Sequence, residues 1–340
     1  MKAAIVDGKG GLSVHEVPMP SYGEYQALVR IYYGATCAGT DIRILHGEHP
    51  NPISYPAILG HESVGRVIEK GSKVTTFKEG DLISRVGAPS MPQIGLSICW
   101  GGFSQYGVAT DWQAMKNDGI QRNIWEKACV QKVIPAFVSD KEAPMIITWR
   151  ETLSYTNRLG IKNNSAVLIA GSGANALAFI CHCVYVGANV VVLGSSRRAQ
   201  DAIRLGAKCS IDYKSDNVSQ QLLDAFPSGI NFIIDAVGSP IDVNAALPLL
   251  DKEGVVAVYG WNNRKTYGIN PFSAKHSFNV YCDDYDESET HDEVLGRISE
   301  GKLKASDWYD TDHPIPLDQI ASAYEKLGQR MAYKYLIDLS

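Results

Sequence analysis

The feature that most constrains this chain is residues 165–194, where two apolar runs flank a glycine-containing turn and a helical pattern. Residues 166–170 form a short, β-branched apolar run, which favours a strand buried on both faces. Residues 174–186 have the apolar period of a helix that stops at Gly187, and residues 190–193 form a second buried strand. The stretch therefore predicts one strand–helix–strand crossover of a parallel sheet.

The turn inside this crossover has the spacing G-x-G-x-x-A at Gly171, Gly173 and Ala176. Gly171 allows a tight turn, and Gly173 removes a side chain where a pyrophosphate would approach the backbone. The helix N-terminus at Ala174 and Asn175 offers unpaired N–H groups to the same phosphates. We predict dinucleotide binding; the alternative is a turn that needs its glycines only for packing.

The rest of this region continues the pattern of a doubly wound sheet. A second helix is predicted at 197–205, and further strands at 207–213, 232–235 and 255–259. Ala236, Val237 and Gly238 end the fourth strand, where such folds place the nicotinamide. A buried role is predicted for Cys181 and Cys183, an exposed position for His182, and a solvated acidic loop for 283–293.

Residues 1–33 differ, because they alternate strand patterns with turns, as antiparallel sheets do. Two architectures imply two domains. We predict a dinucleotide-binding domain at 149–285 and a catalytic domain at 1–148 and 286–340.

Charge and composition limit the classes of partner that the protein is expected to bind. The net charge is −5 and Arg197-Arg198 is the main basic cluster, which argues against nucleic acid. No apolar run is long enough for a membrane span, and the N-terminus lacks a signal core, so we expect a cytoplasmic protein without a membrane partner. The seven scattered cysteines do not suggest a disulfide framework.

Cys37, His61 and Glu62 offer a thiolate, an imidazole and a carboxylate, the ligand types that zinc uses. A catalytic zinc takes three protein ligands and leaves one position open. Spacing alone leaves an alternative, in which Cys37 is a half-buried strand residue and His61 a hydrogen-bonded turn residue.

The sequence resembles the zinc-type medium-chain alcohol and polyol dehydrogenases, in segments that are collinear over nearly the whole chain. They are Cys37 with GTD at 39–41, GHESVG at 60–65, VIEKG at 67–71, FKEGD at 77–81, GGFSQY at 101–106, the 171–176 turn, LGAKCSIDY at 205–213, IDAVGS at 234–239 and GKLKASDW at 301–308. The resemblance implies an α/β protein with a GroES-like β-barrel catalytic domain and a Rossmann cofactor domain. It also implies zinc acting as a Lewis acid on an alcohol.

Two departures from the family pattern matter. Cys37 lies three residues before Thr40, where the family usually has two, and no ligand residue occurs at Ile147 or Thr148, where the third ligand is expected. Glu62 is our preferred third ligand, with Glu151 or water as alternatives. Residues 87–100 contain only Cys99 where relatives carry a four-cysteine lobe for a structural zinc, so we predict one zinc per chain.

Four residues near Cys37 are candidates for catalytic roles. Thr40 is assigned to the proton path, because a hydroxyl can accept the alcohol's proton and pass one on. Asp41 is a natural partner for His61. Arg43 replaces the relay histidine of many relatives and would suit an anion, a ribose or solvent; His46 is the nearest alternative relay.

The preference between NAD and NADP is predicted from the end of the second strand, where NAD-binding crossovers carry an acidic residue about 20 residues after the glycines. Gly194 occupies that position, and no carboxylate occurs between residues 190 and 200. Ser195, Ser196, Arg197 and Arg198 follow at once and suit a 2′-phosphate. We predict NADP, with NAD possible; the alternative is two solvated arginines.

The function predicted from these features is zinc-dependent interconversion of a secondary alcohol and a ketone by hydride transfer to or from NADP. A polyol, sugar alcohol or sugar-alcohol phosphate is the favoured substrate, at a cleft lined by Thr40, Arg43, His61 and residues 88–100. A homodimer or homotetramer is expected. Two alternatives stay open: a zinc-free quinone or enoyl reductase on the same fold, and a non-enzymatic nucleotide sensor.

Overall fold

The computed structural model describes all residues from 1 to 340, which form two compact units. The first unit comprises Met1–Thr148 and His291–Ser340, and the second comprises Trp149–Thr290. The sequence predicts these boundaries at 148/149 and 285/286. No helix is both long and apolar enough to cross a lipid bilayer.

The chain contains seventeen strands. In chain order they are β1 (Lys2–Val6), β2 (Leu12–Glu16), β3 (Gln26–Ala35), β4 (Ala57–Ile58), β5 (Glu62–Lys70), β6 (Leu82–Ser84), β7 (Ser97–Ile98), β8 (Tyr106–Thr110), β9 (Val133–Ile134), β10 (Ala166–Ala170), β11 (Asn189–Gly194), β12 (Cys209–Asp212), β13 (Ile230–Asp235), β14 (Leu250–Val258), β15 (Asn279–Tyr281), β16 (Ile315–Pro316) and β17 (Leu336–Asp338).

Ten α-helices connect these strands. They are α1 (Asp41–Leu45), α2 (Trp112–Asn117), α3 (Arg122–Trp125), α4 (Met145–Leu159), α5 (Ala174–Tyr185), α6 (Ala199–Arg204), α7 (Val218–Ala225), α8 (Pro240–Ala246), α9 (His291–Ser299) and α10 (Ile320–Gly328).

The first unit is built on two sheets. One has the strand order β16-β17-β3-β5-β6-β9, with β8 also paired to β3, and the other has the order β2-β1-β4-β7. Most pairs are antiparallel, as the alternating pattern of the N-terminal residues predicts. A core of aliphatic residues, among them Val29, Ile31 and Ile83, fills the space inside this unit.

The second unit is a six-stranded, wholly parallel sheet of order β12-β11-β10-β13-β14-β15. This is the doubly wound order, in which the strand sequence reverses between β10 and β13. Apolar clusters cover both faces of the sheet, which explains why β10 and β11 are almost continuously apolar. The helix predicted at 197–205 starts with a single 3₁₀ turn, Ser196–Arg198, before α6.

Two predictions about surface residues are wrong. His182 is fully buried, because the helix α5 turns it toward α4, where its Nε2 lies 3.0 Å from the Thr152 hydroxyl. The acidic segment 283–293 is only partly solvated, since Glu287 is buried and pairs at 2.7 Å with the buried Arg150 guanidinium. A buried carboxylate needs such a partner, and no local pattern in the sequence marks Arg150 as the cation that supplies it.

Candidate metal centre and cofactor site

Cys37, His61 and Glu62 are brought together by the pairing of β3 with β5. Ala35, at the end of β3, lies opposite Glu62, the first residue of β5, so the residues on either side of this pair converge. One ligand atom from each of the three side chains lies within 4.8 Å of the others, and all three residues are buried. Glu151, the alternative third ligand, is not part of this group.

The spacing of these atoms fits a zinc ion. His61 Nδ1 is engaged by Asp41 Oδ1 at 2.9 Å, which leaves Nε2 for a metal, and Nε2 lies 3.6 Å from Glu62 Oε1. Tetrahedral ligands 2.0–2.3 Å from zinc are separated from one another by about 3.4 Å. A thiolate, an imidazole and a carboxylate at this spacing form a donor set that zinc accepts.

Asp41 orients the imidazole from a fully buried position. Its carboxylate also accepts the Tyr324 hydroxyl at 2.5 Å and the Cys37 backbone N–H at 2.9 Å. Burial alone would raise the pKa of Asp41, but His61 and these two donors lower it below its usual value. Asp41 thus connects two of the candidate ligands, and a carboxylate in this place fixes the tautomer of a metal-binding histidine.

Glu62 has a partner that the sequence did not reveal. The buried ammonium of Lys334 lies 2.6 Å from both carboxylate oxygens and also donates to the Thr36 carbonyl at 3.2 Å. The Thr148 hydroxyl donates to Oε1 at 3.0 Å, from the position where the family pattern places a third ligand. Burial acts to lower the pKa of Lys334, but Glu62 outweighs it and raises that pKa, so the side chain stays cationic.

The other candidates of this region lie on and around α1. Thr40 is half-buried at the N-cap of α1 without a side-chain capping bond. The Arg43 guanidinium donates to the Gly39 carbonyl, beside the Cys37 loop. His46 is exposed at the C-terminal end of α1 with its ring next to Gly10, and the structure does not place it in the ligand group.

Trp100 stands beside the candidate ligands. It is 43% exposed, and its ring centroid lies 5.4 Å from that of His61 and 6.2 Å from that of His49. The Arg85 guanidinium lies 5.7 Å from the same ring and donates to the His61 carbonyl at 2.9 Å. Trp100 and Arg85 both have positive φ, at 63° and 60°, a conformation that costs energy for such residues.

The glycine-containing turn has the geometry expected of a phosphate-binding loop. Gly171 has φ of 125°, and a Cβ there would lie 2.7 Å from Val237 Cγ2, so only glycine fits. Gly173 lies at the N-cap of α5 with φ of −86°, and a Cβ there would meet no atom within 4 Å. Packing therefore explains Gly171 but not Gly173, while an approaching pyrophosphate would explain both. Ala174, Asn175 and Ala176 form the first turn of α5.

The four residues after Gly194 lie against this loop. The Ser195 N–H donates to the Ser172 hydroxyl at 3.1 Å, and the Arg198 guanidinium donates to the Ser172 carbonyl at 3.0 Å. Arg197 and Ser196 are exposed. A Cβ on Gly194 would lie 2.8 Å from Ser172 Cβ, so packing also disfavours a larger residue there.

Residues at the end of β12 border the same place and were missed by the sequence reasoning. Gly194 is in register with Asp212, which is followed by the exposed Tyr213 and Lys214. Lys214 Nζ lies 5.6 Å from the centroid of the Tyr213 ring. The Lys214 N–H and the Ser196 hydroxyl lower the pKa of Asp212, which is therefore a carboxylate at neutral pH. The pairing of β11 with β12 brings this acid beside Gly194, and the residues that directly follow Gly194 give no sign of it.

Ala236, Val237 and Gly238 form the turn that follows β13. The Ala236 N–H donates to the Ala170 carbonyl at 2.9 Å, and Val237 packs against Gly171. This turn and the glycine-containing loop are therefore neighbours at the carboxyl edge of the sheet, where open α/β sheets bind ligands.

Two sequence families match the chain: "zinc-binding dehydrogenase" at residues 176–284 and "alcohol dehydrogenase GroES-like domain" at residues 23–119. A sorbitol dehydrogenase of Halalkalibacterium halodurans is 25% identical over 268 residues, 74% of either chain. L-galactonate-5-dehydrogenase of Escherichia coli is 27% identical over 320 residues, 92% of this chain and 90% of the relative. The crystal structure of 2R,3R-butanediol dehydrogenase from Bacillus subtilis, 19% identical, superposes with a TM-score of 0.80 over 99% of both chains. The predicted GroES-like and doubly wound architecture is confirmed.

Proposed function

This chain belongs to the zinc-type medium-chain alcohol dehydrogenase family, and within it we propose an NADP-linked enzyme that interconverts a secondary hydroxyl of a polyol-like substrate and the ketone. The observation that carries the proposal is the buried group of Cys37, His61 and Glu62, whose ligand atoms lie within 4.8 Å of one another. A zinc-free reductase on the same fold has no use for this group.

We assign a separate role in the reaction to each of these side chains. Cys37 Sγ, His61 Nε2 and a Glu62 oxygen would hold zinc, and Asp41 keeps the imidazole in the orientation that presents Nε2. When bound, zinc would supply Lewis acidity and the nicotinamide would accept or donate the hydride. The Thr40 hydroxyl would accept the proton of the substrate hydroxyl and pass one toward solvent.

Glu62 is proposed as a ligand whose charge is shared with Lys334. A carboxylate has lone pairs enough to accept one ammonium and to bind a metal as well. Lys334 and Thr148 hold the carboxylate in place before any metal arrives, since both lie within 3.0 Å of its oxygens. Such fixed ligands favour metal binding because little ordering remains to be done.

The substrate class is inferred from Trp100 and from the relatives. An exposed aromatic ring 5.4 Å from the ring of a metal-binding histidine offers an apolar wall to the carbon chain of a substrate held at the metal. The two curated relatives act, by their names, on sorbitol and on L-galactonate, both polyhydroxylated chains. A polyol, sugar alcohol or sugar-alcohol phosphate fits this wall.

The preference for NADP is inferred from charges near Gly194. Arg197 is exposed, Arg198 is fixed to the glycine-containing loop, and Lys214 follows Asp212 at the neighbouring strand end. Three cations at this place suit a 2′-phosphate, whereas Asp212 is the single acid that would favour ribose hydroxyls.

Metal analysis tests the central proposal. We expect one zinc per chain in wild-type protein, and none in Cys37→Ser, with the unfolding temperature of the zinc-free protein unchanged. Cys129→Ser is the matched control, because Cys129 is a cysteine outside the ligand group. Wild-type protein that takes up no zinc, or a Cys37→Ser variant that keeps its zinc, would show that these three side chains do not form the zinc site.

Cofactor choice is tested by kcat/KM with NADP and NAD. We expect NADP to be preferred, and Arg197→Ala and Arg198→Ala to weaken NADP far more than NAD. Arg204→Ala on α6, whose guanidinium pairs with Asp201, is the control. Equal use of both cofactors, or a preference for NAD, would contradict the proposal and point to Asp212 as the ribose-binding acid.

We also propose that the enzyme is cytoplasmic and assembles as a homodimer or homotetramer, as predicted from the sequence. Light scattering coupled to size-exclusion chromatography tests the assembly. A monomer at micromolar concentration would contradict it.

A further inference from the structure

A buried carboxylate organises the turn at residues 236–239. Asp235, the last residue of β13, is fully buried. Its Oδ1 accepts the N–H groups of Val237 at 3.0 Å and Gly238 at 2.7 Å, and its Oδ2 accepts the Ser239 N–H at 2.7 Å. A fourth donor, the Tyr267 hydroxyl, reaches Oδ2 at 2.7 Å from far along the chain. Every backbone N–H of the turn from 237 to 239 is thus directed at one side chain.

The position of this turn in the sheet is special. The strand order reverses between β10 and β13, and dinucleotides bind across the crevice at that switch point. Residue 236 is bonded to the end of β10, and Val237 fills the space beside Gly171. The turn is therefore one wall of the crevice whose other wall is the glycine-containing loop.

The outer side of the turn is confined as well. The Val237 carbonyl accepts the Asn262 N–H at 3.1 Å, and the Gly238 carbonyl accepts the Asn263 side chain at 3.1 Å. A Cβ on Gly238, where φ is 85°, would lie 2.3 Å from the Asn262 carbonyl oxygen. These contacts fix the carbonyls, so the carboxylate and Tyr267 decide how the N–H side and the Val237 side chain are presented to the crevice.

We propose that Asp235 and Tyr267 are positioning residues for the nicotinamide half of the cofactor, holding the 236–239 turn against the glycine-containing loop. The inference rests on the proposed dinucleotide binding and adds to it a residue, Tyr267, that no cofactor motif includes. Loss of the Tyr267 hydroxyl leaves Oδ2 with one donor and loosens the turn, while the ring stays in place. The adenosine end is expected near Arg197 and Arg198, and the Arg198 guanidinium donates to the Ser172 carbonyl of the glycine-containing loop.

The experiment compares two probes by calorimetry on the purified full chain. NADPH spans both halves of the site, and adenosine 2′,5′-bisphosphate occupies the adenosine end only. We expect Tyr267→Phe to raise the Kd of NADPH roughly two- to tenfold, the effect of one hydrogen bond, and to leave the Kd of the bisphosphate unchanged. Asp235→Asn should have the same selectivity with a larger effect.

Tyr155→Phe is the matched control, because it also removes a tyrosine hydroxyl that bonds within this unit, to the Tyr281 carbonyl at 3.3 Å. It should leave both constants unchanged. Equal weakening of both probes by Tyr267→Phe, or no change for NADPH, overturns the positioning role. Wild-type protein that binds neither probe overturns the proposed dinucleotide binding itself, which separates the two failures.

Discussion

Replacement of Lys334 by methionine removes the cation that holds Glu62 and tests whether that carboxylate also binds zinc. The Lys334 side chain is 1% exposed, and its ammonium lies 2.6 Å from both carboxylate oxygens. Methionine keeps most of the side-chain volume, so the main change is one positive charge. After the substitution, Glu62 keeps only the Thr148 hydroxyl and its buried surroundings.

The stability of the zinc-free protein and its affinity for zinc should change in opposite directions. Breaking a buried ion pair from one side costs about 3–5 kcal/mol, so the free energy of unfolding of zinc-free protein should fall by that amount. A zinc ion on the same carboxylate would lie within about 5 Å of Nζ, and charges of +2 and +1 at that separation repel by roughly 7 kcal/mol at an effective dielectric constant of about 20. Removing this repulsion should tighten zinc binding by at least about tenfold, because part of that energy is screened.

Two measurements give the answer: chemical unfolding of the chelator-treated protein, and the zinc Kd by competition with a chromophoric chelator. Lys334→Arg keeps the charge and should remain near wild type in both. Lys326→Met, at an exposed position on α10, controls for loss of a lysine in the same unit. A zinc Kd that is unchanged or higher in Lys334→Met would refute the reasoning and remove Glu62 from the ligand set.

Three further predictions concern single side chains. Thr40→Ala should lower kcat by roughly 10²–10⁴-fold with zinc content unchanged; an effect on KM alone would make Thr40 a binding residue. Trp100→Leu should raise KM for polyols roughly two- to tenfold and leave KM for propan-2-ol unchanged. Trp112→Leu, at a residue in a ring pair with Trp125, should change KM for neither kind of alcohol. A Trp100→Leu variant in which KM rises equally for all alcohols would contradict this. Asp111→Asn should lower the free energy of unfolding by about 1 kcal/mol at pH 7, because Asp111 caps α2. Although burial opposes it, the N–H donors of Ala114, Thr76 and Thr75 lower the pKa of Asp111 below 3.8, so this cost should disappear as the pH falls through the lowered value; a cost that persists in acid would show that charge is not its cause.

The sequence was most informative where function demands local patterns. The G-x-G-x-x-A turn and the apolar strands around it could be predicted, because each depends on neighbouring residues. Cys37, His61 and Glu62 could be grouped because their side chains are zinc-ligand types and because the sequence resembles a zinc-type family; the pairing of β3 with β5, which brings them together, is seen only in the structure.

Contacts between distant segments could not be predicted. Lys334 meets Glu62, Tyr324 meets Asp41 and Tyr267 meets Asp235 through the closure of the fold, and no local pattern marks those residues. The exposed position predicted for His182 was wrong because a polar residue on an apolar helix was assigned to solvent, whereas Thr152 provides a buried partner. In each of these cases, a hydrogen bond or ion pair with a residue distant in the sequence offsets the cost of burying a polar group.

The most direct test of the account follows a deuterium atom from the carbinol carbon of a secondary alcohol to the nicotinamide. Zinc-reconstituted protein is incubated with NADP and a panel of polyols and sugar acids deuterated at the secondary carbon, and the NADPH is examined by mass spectrometry. We predict that NADPH gains one deuterium with at least one polyol, that chelator-treated protein and Cys37→Ser form none, and that zinc restores the reaction in wild type alone. Deuterium transfer at an equal rate without zinc, or none with any secondary alcohol and either cofactor, would contradict the account.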